Sequence, residues 1–427
     1  MRQRHLAGWF TVFAGYAAVN GIFTHGPSSV WGAWAAPGYA LAALASWRSR
    51  GSTIPLLIGA GGAVAAPTIW LATRLQPGEE PAVVARAAFL LAHHGSPYLP
   101  SVQMVSAQSY NPYLPAMSVF GLPYLTGLPG IIGNPETWMA VATLALAAAA
   151  IAIGAPPGVR SRAPGPGFLF RNTALAVVTP VLALPLALGT TDPPVIALMC
   201  LALACVGRSP AVGRSPTASP APGGPAAGGP AGTGPWPAVP AARRITWNAL
   251  AALALGTACA MKALAWPALP VIAAMIAVRQ GPRAAARFAG VAAGAALVLI
   301  LAFAPRLVTQ PGAFADNIIA YPLGLAHQLT TAASPLPGHL LAGTGAPGHL
   351  ADMVLLLAGA AAMAFCLARR PPRDTREATV FLALGLTLLF ALAPDARFGY
   401  FAYPAALAGW LAIAERPRPR PETGRTP

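Results

Sequence analysis

Few residues in this 427-residue chain can do chemistry, and they gather in a handful of places. The stretch "RLQPGEEPAVVARAAFLLAHHGSPYLP", residues 74–100, holds two adjacent glutamates, Glu79 and Glu80, although the whole chain carries only 11 acidic residues. A carboxylate at the mouth of a cavity can serve as a general base, and two carboxylates this close tend to push one pKa upward. The other reading is electrostatic: acids at a helix N-terminus complement its dipole. Both stay open at this point. His93 and His94 close the same segment and suit a helix C-terminus equally well.

Four further places repeat the pattern of isolated polar residues. "LGTTDPPVIAL", residues 188–198, carries Asp192, an acid at a helix start or at the lip of a bundle. "MKALAWPALP", residues 261–270, carries Lys262, the single lysine. Its ammonium either snorkels to the surface or faces an anion. "PGAFADNIIAYPLGLAHQL", residues 311–329, carries Asp316, Tyr321 and His327. "APDARFGYFAYP", residues 393–404, carries Asp395, Arg397, Tyr400 and Tyr403. The planar fork of Arg397 fits a phosphate. Tyr98, Tyr110 and Tyr113 form either an interfacial aromatic belt or a wall on which a sugar stacks.

The elements that must position these residues follow from composition. The chain is 56% hydrophobic and 9% charged, against roughly 25% charged for soluble domains. Apolar runs about long enough to cross ~30 Å of hydrocarbon recur throughout. The expected fold class is all-α, a polytopic transmembrane helix bundle. Twelve candidate spans can be marked: 8–25, 30–47, 53–75, 136–154, 172–189, 193–207, 245–260, 264–279, 288–305, 350–368, 377–393 and 398–414. The stretch 113–132 is apolar, but Pro115, Gly121, Pro123, Gly127, Pro129 and Gly130 make it a poor continuous helix.

Charge decides how that stretch is read. If it does not span, the basic residues divide as 22 on the cytoplasmic side and five outside; if it does, only seven remain inside. The positive-inside rule selects the first arrangement. The expectation is therefore a multi-pass protein of the cell membrane with both termini cytoplasmic. In it, 113–132 is a re-entrant or juxtamembrane segment of the outer face. Seven acids then face outward: Glu79, Glu80, Glu136, Asp192, Asp316, Asp352 and Asp395. Residues 1–207 form an N-terminal transmembrane bundle with outer loop 76–135, and 245–414 a C-terminal bundle with outer loop 306–349. The Pro, Gly and Ala-rich segment 208–244 reads as a disordered cytoplasmic linker, and 415–427 as a disordered basic tail. From Glu80 to His94 the apolar residues recur at helical spacing, which predicts a short amphipathic helix along the membrane surface.

The net charge of +16 does not point to nucleic acid, because the arginines lie in short clusters between apolar runs. Cys200, Cys205, Cys259 and Cys366 sit in apolar runs without disulfide or zinc spacing. The chain has no Walker loop, zinc-protease pair, dinucleotide fingerprint or Asp-x-Asp, and no G-x-S-x-G elbow.

A large outer loop with an acid near its start, a surface helix, "GSPY" and then "YNPYLPAMSVFGLP" resembles the GT-C membrane glycosyltransferases. The likeness is nearest to the polyprenol-phosphate-mannose-dependent branch, glycosyltransferase family 87, and its actinobacterial integral-membrane relatives. "TTDPPVIALMCLALA", "MKALAWPALPVIAAM", "AYPLGLA" and "APDARFGYFAYP" share the resemblance. It implies transfer of a hexose, mannose first among them, from a polyprenyl-phosphate donor to an extracytoplasmic glycan or glycolipid acceptor, by a single displacement that needs no metal and no cofactor. The family's catalytic carboxylate, usually aspartate, matches Glu80, with Glu79 the near alternative. Lys262 and Arg397, then Arg86, are the implied phosphate-binding cations. Asp192 would orient sugar or acceptor hydroxyls, and His94, Tyr98, Tyr113, Tyr321 and Tyr400 would line the substrate. The alternatives are a multi-pass transporter or lipid flippase, and a non-catalytic membrane protein with a degenerate site.

Overall fold

In an apolar medium a backbone must satisfy its own hydrogen bonds, and a helix does so within one segment. The computed structural model bears this out over the residues it describes, 3–48, 53–74, 78–128, 130–155, 166–209, 241–326, 328 and 332–414. The central part of the expected linker, the expected basic tail and His327 lie outside the described residues. Among the described residues the only strand-like feature is an isolated parallel bridge between Ala333 and Ala396.

The helices follow in chain order. α1 (Gln3–Phe23) and α2 (Pro27–Arg48) pack as a pair. α3 (Ile54–Ala60) and α4 (Ala66–Arg74) are joined through a π-helical turn, Gly61–Ala65. α5 (Glu79–His94) is followed by a 3-10 helix, Pro115–Thr126, and then α6 (Pro135–Gly154), α7 (Pro166–Val177), α8 (Pro180–Ala187) and α9 (Asp192–Arg208). The second half contains α10 (Ala241–Met261), α11 (Ala268–Gln280), α12 (Pro282–Ala302), α13 (Pro311–Ala315), α14 (Pro337–Ala342), α15 (Ala346–Arg369), α16 (Thr375–Leu392) and α17 (Ala402–Ala414).

All twelve expected spans fall on helices. Among the described residues seven helices are long and apolar enough to cross a membrane, or eight if one bent pair counts as a span. That pair is α7 with α8, expected as a single span over 172–189. It bends by 88° at Val178–Thr179, because a residue before proline is pushed out of the helical region, as Thr179 is ahead of Pro180. α9 is a different case. Fourteen of its 17 residues are buried in protein, so its apolar sequence reflects a central core position. The stretch 113–132 does not form a continuous α-helix; its 3-10 helix packs on α5 and touches α6, α10 and α12.

The main core gathers residues of α5, α6, α9, α10, α11, α12, α16 and α17. A second cluster joins α1, α2, the π turn, α7 and α8. Trp31 Nε1 donates to Ala63 O at 2.8 Å and the Tyr39 hydroxyl to Val178 O at 2.7 Å, which pins that cluster together. Cys200, Cys205 and Cys259 are buried in the core as free thiols, while Cys366 is exposed.

The two ends of the bundle differ in charge. α9 runs from Asp192 to Arg208, about 25 Å at 1.5 Å per residue. At its far end Arg208 donates to Ile153 O at 2.8 Å, and Arg279 donates to Val206 O and Ser209 O at 3.0 and 2.8 Å. These arginines satisfy carbonyls at helix C-termini, where a cation is favourable. The near end holds Glu79, Glu80, Asp192 and Lys262.

Candidate active site

α5 supplies the first wall. Glu79 and Glu80 occupy its first turn, and His93 and His94 its last, before Gly95 ends it. Neighbouring helical residues diverge by about 100°, so only one glutamate can face the bundle. That one is Glu80, whose side chain is 16% exposed against 65% for Glu79. The same side of the helix buries Val84, Ala87 and Ala88, four, seven and eight residues on from Glu80. Gly121 of the 3-10 helix lies so close that a Cβ there would sit 2.4 Å from Val84 O.

The second wall is the turn between α8 and α9. Gly189 has φ of +64° and lies flat on Glu136, where an added Cβ would meet the Glu136 Cγ at 2.5 Å. This tight turn delivers Thr191 and Asp192 to the inner side of Glu80. Glu80 Oε2 accepts from the Thr191 backbone N–H at 2.8 Å and from the Thr191 hydroxyl at 2.7 Å.

The third wall is the break between α10 and α11. Lys262 leaves the helix with extended backbone, and its Nζ donates to Thr191 Oγ1 at 3.0 Å and to the Asp192 carboxylate. The same ammonium lies 5.3 Å from the Tyr113 ring centroid and 5.6 Å from that of Tyr400, within the range of cation–π attraction. A fourth wall, the segment before α17, places Arg397 between the two glutamates. Its NH2 is 3.7 Å from Glu79 Oε2 and its NH1 3.8 Å from Glu80 Oε1.

Burial would raise the Glu80 carboxyl. The Lys262 ammonium, the two Thr191 hydrogen bonds and Arg397 together outweigh it and hold the group below the ordinary carboxylate range. Glu80 is therefore a carboxylate at neutral pH.

These groups border one cavity of about 460 Å³. Glu79, Glu80, Tyr113, Lys262, Arg397 and Tyr400 form its polar end, and Leu264, Ile318, Leu323, Leu356, Leu389 and Phe390 its apolar side. Leu356 and Leu389 also line an adjoining apolar slot of about 310 Å³ between α11, α15 and α16. Such a site suits a ligand with an anionic group and a hydrocarbon part. Arg86, Tyr110 and Tyr321 form the rim. The Tyr110 and Tyr321 rings stack at 4.3 Å, 10° from parallel. Arg86 NH2 donates to Tyr110 O at 3.0 Å, and NH1 to Gln108 O.

Three expected site residues stand elsewhere. His94 is exposed at the far end of α5 and is not part of the cavity wall. Tyr98 is buried behind the wall, where its hydroxyl donates to Tyr113 O at 3.0 Å and its ring meets Phe314 edge-on at 5.8 Å. Asp192 lies beneath Lys262, so its carboxylate faces a cation and not the cavity. Sequence reasoning overlooked Thr191, although it stands in the quoted "GTTDPP". It also overlooked Asn317, which holds the rim in place: its Oδ1 accepts from Asn111 N–H at 2.6 Å, and its Nδ2 donates to Ala313 O at 2.7 Å.

No family model matches this chain, and no curated protein matches it. Among solved structures, the crystal structure of ArnT from Cupriavidus metallidurans in the apo state is similar. It is 16% identical, with a TM-score of 0.46, over 81% of this chain and 56% of that chain. This chain thus spans little more than half of the solved one. Among the described residues no three His, Cys, Asp or Glu side chains are placed to hold one metal ion.

Proposed function

We propose that this protein is an integral membrane glycosyltransferase of the GT-C type, which moves a hexose, mannose first among candidates, from a polyprenyl phosphate to an extracytoplasmic acceptor. The observation that carries the reading is one cavity in which an ionised Glu80 lies beside Lys262 and Arg397, with an apolar side continuing into the slot at Leu356 and Leu389. The acceptor hydroxyl attacks the anomeric carbon, the bond from that carbon to the phosphate oxygen breaks, and the lipid phosphate leaves with the electron pair. Glu80 takes the acceptor proton. Arg397 and Lys262 stabilise the charge that grows on the departing phosphate, so the displacement calls on no cofactor. The acid-bearing end faces outward, which leaves the arginine-rich end and both termini cytoplasmic.

A transporter or flippase is the second reading, and the 88° break between α7 and α8 favours it, since broken helices mark many transport sites. The cavity beside that break is lined almost entirely by apolar residues, which argues for the transferase. Membranes containing the protein, given radiolabelled mannose on a polyprenyl phosphate and a panel of acceptors, test it. Transfer that disappears in Glu80→Gln supports the reading. Transfer undiminished in Glu80→Gln removes Glu80 from the base role, and solute accumulation in proteoliposomes without covalent change replaces the transferase with a transporter.

A further inference from the structure

We propose that Thr191 is a positioning residue: its hydroxyl, oriented by Lys262, commits Glu80 Oε2 and leaves Oε1 as the oxygen that receives the acceptor's proton. This rests on the transferase reading for its last clause and on geometry for the rest.

The direction of the hydrogen bonds follows from the donor inventory. An ammonium only donates. Thr191 Oγ1, 3.0 Å from Lys262 Nζ, therefore accepts from it. Its single proton goes to Glu80 Oε2 at 2.7 Å, since a carboxylate only accepts whereas the neighbouring Tyr113 hydroxyl can itself donate to Thr191. The backbone N–H of the same residue fills a second position on Oε2 at 2.8 Å. Thr191 stands at the N-cap of α9, where a threonine side chain ordinarily bonds its own helix. Here it makes no such cap. Its hydroxyl reaches across to a residue 111 positions earlier in the chain.

The consequence is an asymmetric carboxylate. Oε2 is held by two donors from a fully buried residue. Oε1 meets Arg397 at 3.8 Å, on the cavity side. A ligand phosphate that draws Arg397 to itself uncovers Oε1 and leaves Oε2 as it was. The carboxylate plane is set before the acceptor arrives.

The test separates orientation from packing. Thr191→Val keeps the shape and the backbone N–H but removes the hydroxyl; Thr191→Ser keeps the hydroxyl and loses a methyl. The full-length protein in proteoliposomes, labelled with 13C at the side-chain carboxyls of its six glutamates, gives a Glu80 resonance assigned by its loss in Glu80→Gln. The Glu80 titration midpoint is expected to rise by about one pH unit in Thr191→Val, because one donor to the charged form is gone, and to return to the wild-type value in Thr191→Ser. An unchanged midpoint in Thr191→Val, or equal shifts in both variants, overturns the proposal. In the transfer assay the acid limb of the rate profile should move with the resonance. A resonance that moves while no variant, wild type included, transfers sugar leaves the hydrogen-bond assignment standing and sinks the transferase reading instead.

Discussion

Lys262 and Asp192 form an ion pair at the junction of two helix ends, with each side chain 7% exposed. Seventy residues separate them in the chain, yet each is the other's main compensation for leaving water. Removing one partner of a buried pair strands the other charge, at a cost of about 3–5 kcal/mol. Asp192→Leu and Lys262→Met are each expected to lower the melting temperature of the detergent-solubilised protein sharply. The double variant should recover much of the loss, since two apolar residues need no partner. Thermal melts followed by fluorescence-detected size exclusion check this.

Glu79 and Glu80 should separate cleanly in activity. Glu80→Gln is expected to reduce sugar transfer by roughly 10²–10⁴-fold, the usual contribution of a general base. Glu79→Gln should retain most of the rate, because that side chain is largely exposed and, among the described residues, pairs with Arg397 alone. Initial rates at saturating donor decide between them.

The pH dependence carries a sign. Against the opposing effect of burial, Lys262, Thr191 and Arg397 hold the Glu80 carboxyl below the ordinary carboxylate range. Its contribution to stability is therefore present above the unfolded pKa and lost as pH falls through the lower folded value. As the base it must be ionised, so the acid limb of the rate profile should lie below the normal carboxylate range. Lys262→Met removes the nearest cation and should move that limb upward. A profile measured on both proteins from pH 3 to 8 reads the shift directly.

Asp395 runs the other way. Burial pushes its carboxyl up to about 6 from 3.8, with Asp352 adding to the rise and His339 and His349 opposing it. The unfolded chain releases this proton first, so stability falls as pH rises from about 4 to about 6. Asp395→Asn should flatten that part of the stability curve, which melts at stepped pH would display.

Arg397 should govern donor affinity. Its fork meets both glutamates loosely, at 3.7 and 3.8 Å, and a phosphate would offer it a stronger bidentate partner. Arg397→Lys keeps the charge and loses the fork. The expected result is a KM for lipid donor raised about tenfold or more, with kcat less affected. Steady-state titration with donor at fixed acceptor provides the check.

The helix α5 was readable because its apolar residues repeat at 3.6, and it begins one residue before the expected Glu80. Which glutamate faces inward depends on the helix's rotation about its axis, and that is set by close contacts such as Gly121 on Val84. The prolines and glycines of 113–132 correctly signalled a departure from α-helix. A 3-10 run as long as Pro115–Thr126 has no comparable signature, since such runs are uncommon. The bend inside 172–189 was not foreseen, because averaging over a window hides Thr179–Pro180 among leucines and valines. Asp192 was legible as a notable acid, but its partner was not. A pairing over 70 residues leaves no trace in spacing, and Thr191 is a residue type too common in turns to draw the eye.

Because Leu356 and Leu389 belong at once to the polar chamber and to the hydrocarbon slot, the donor in the proposed reaction, filling both, is an amphiphile dissolved in the surrounding lipid. Its supply is then a surface density, in molecules per unit area of bilayer, and not a bulk molarity. Solubilising the protein dilutes that supply into micelles and surrounds the slot with alkyl chains able to enter it. The choice of detergent, chain length included, thereby becomes a competitive variable in every rate measured on this protein.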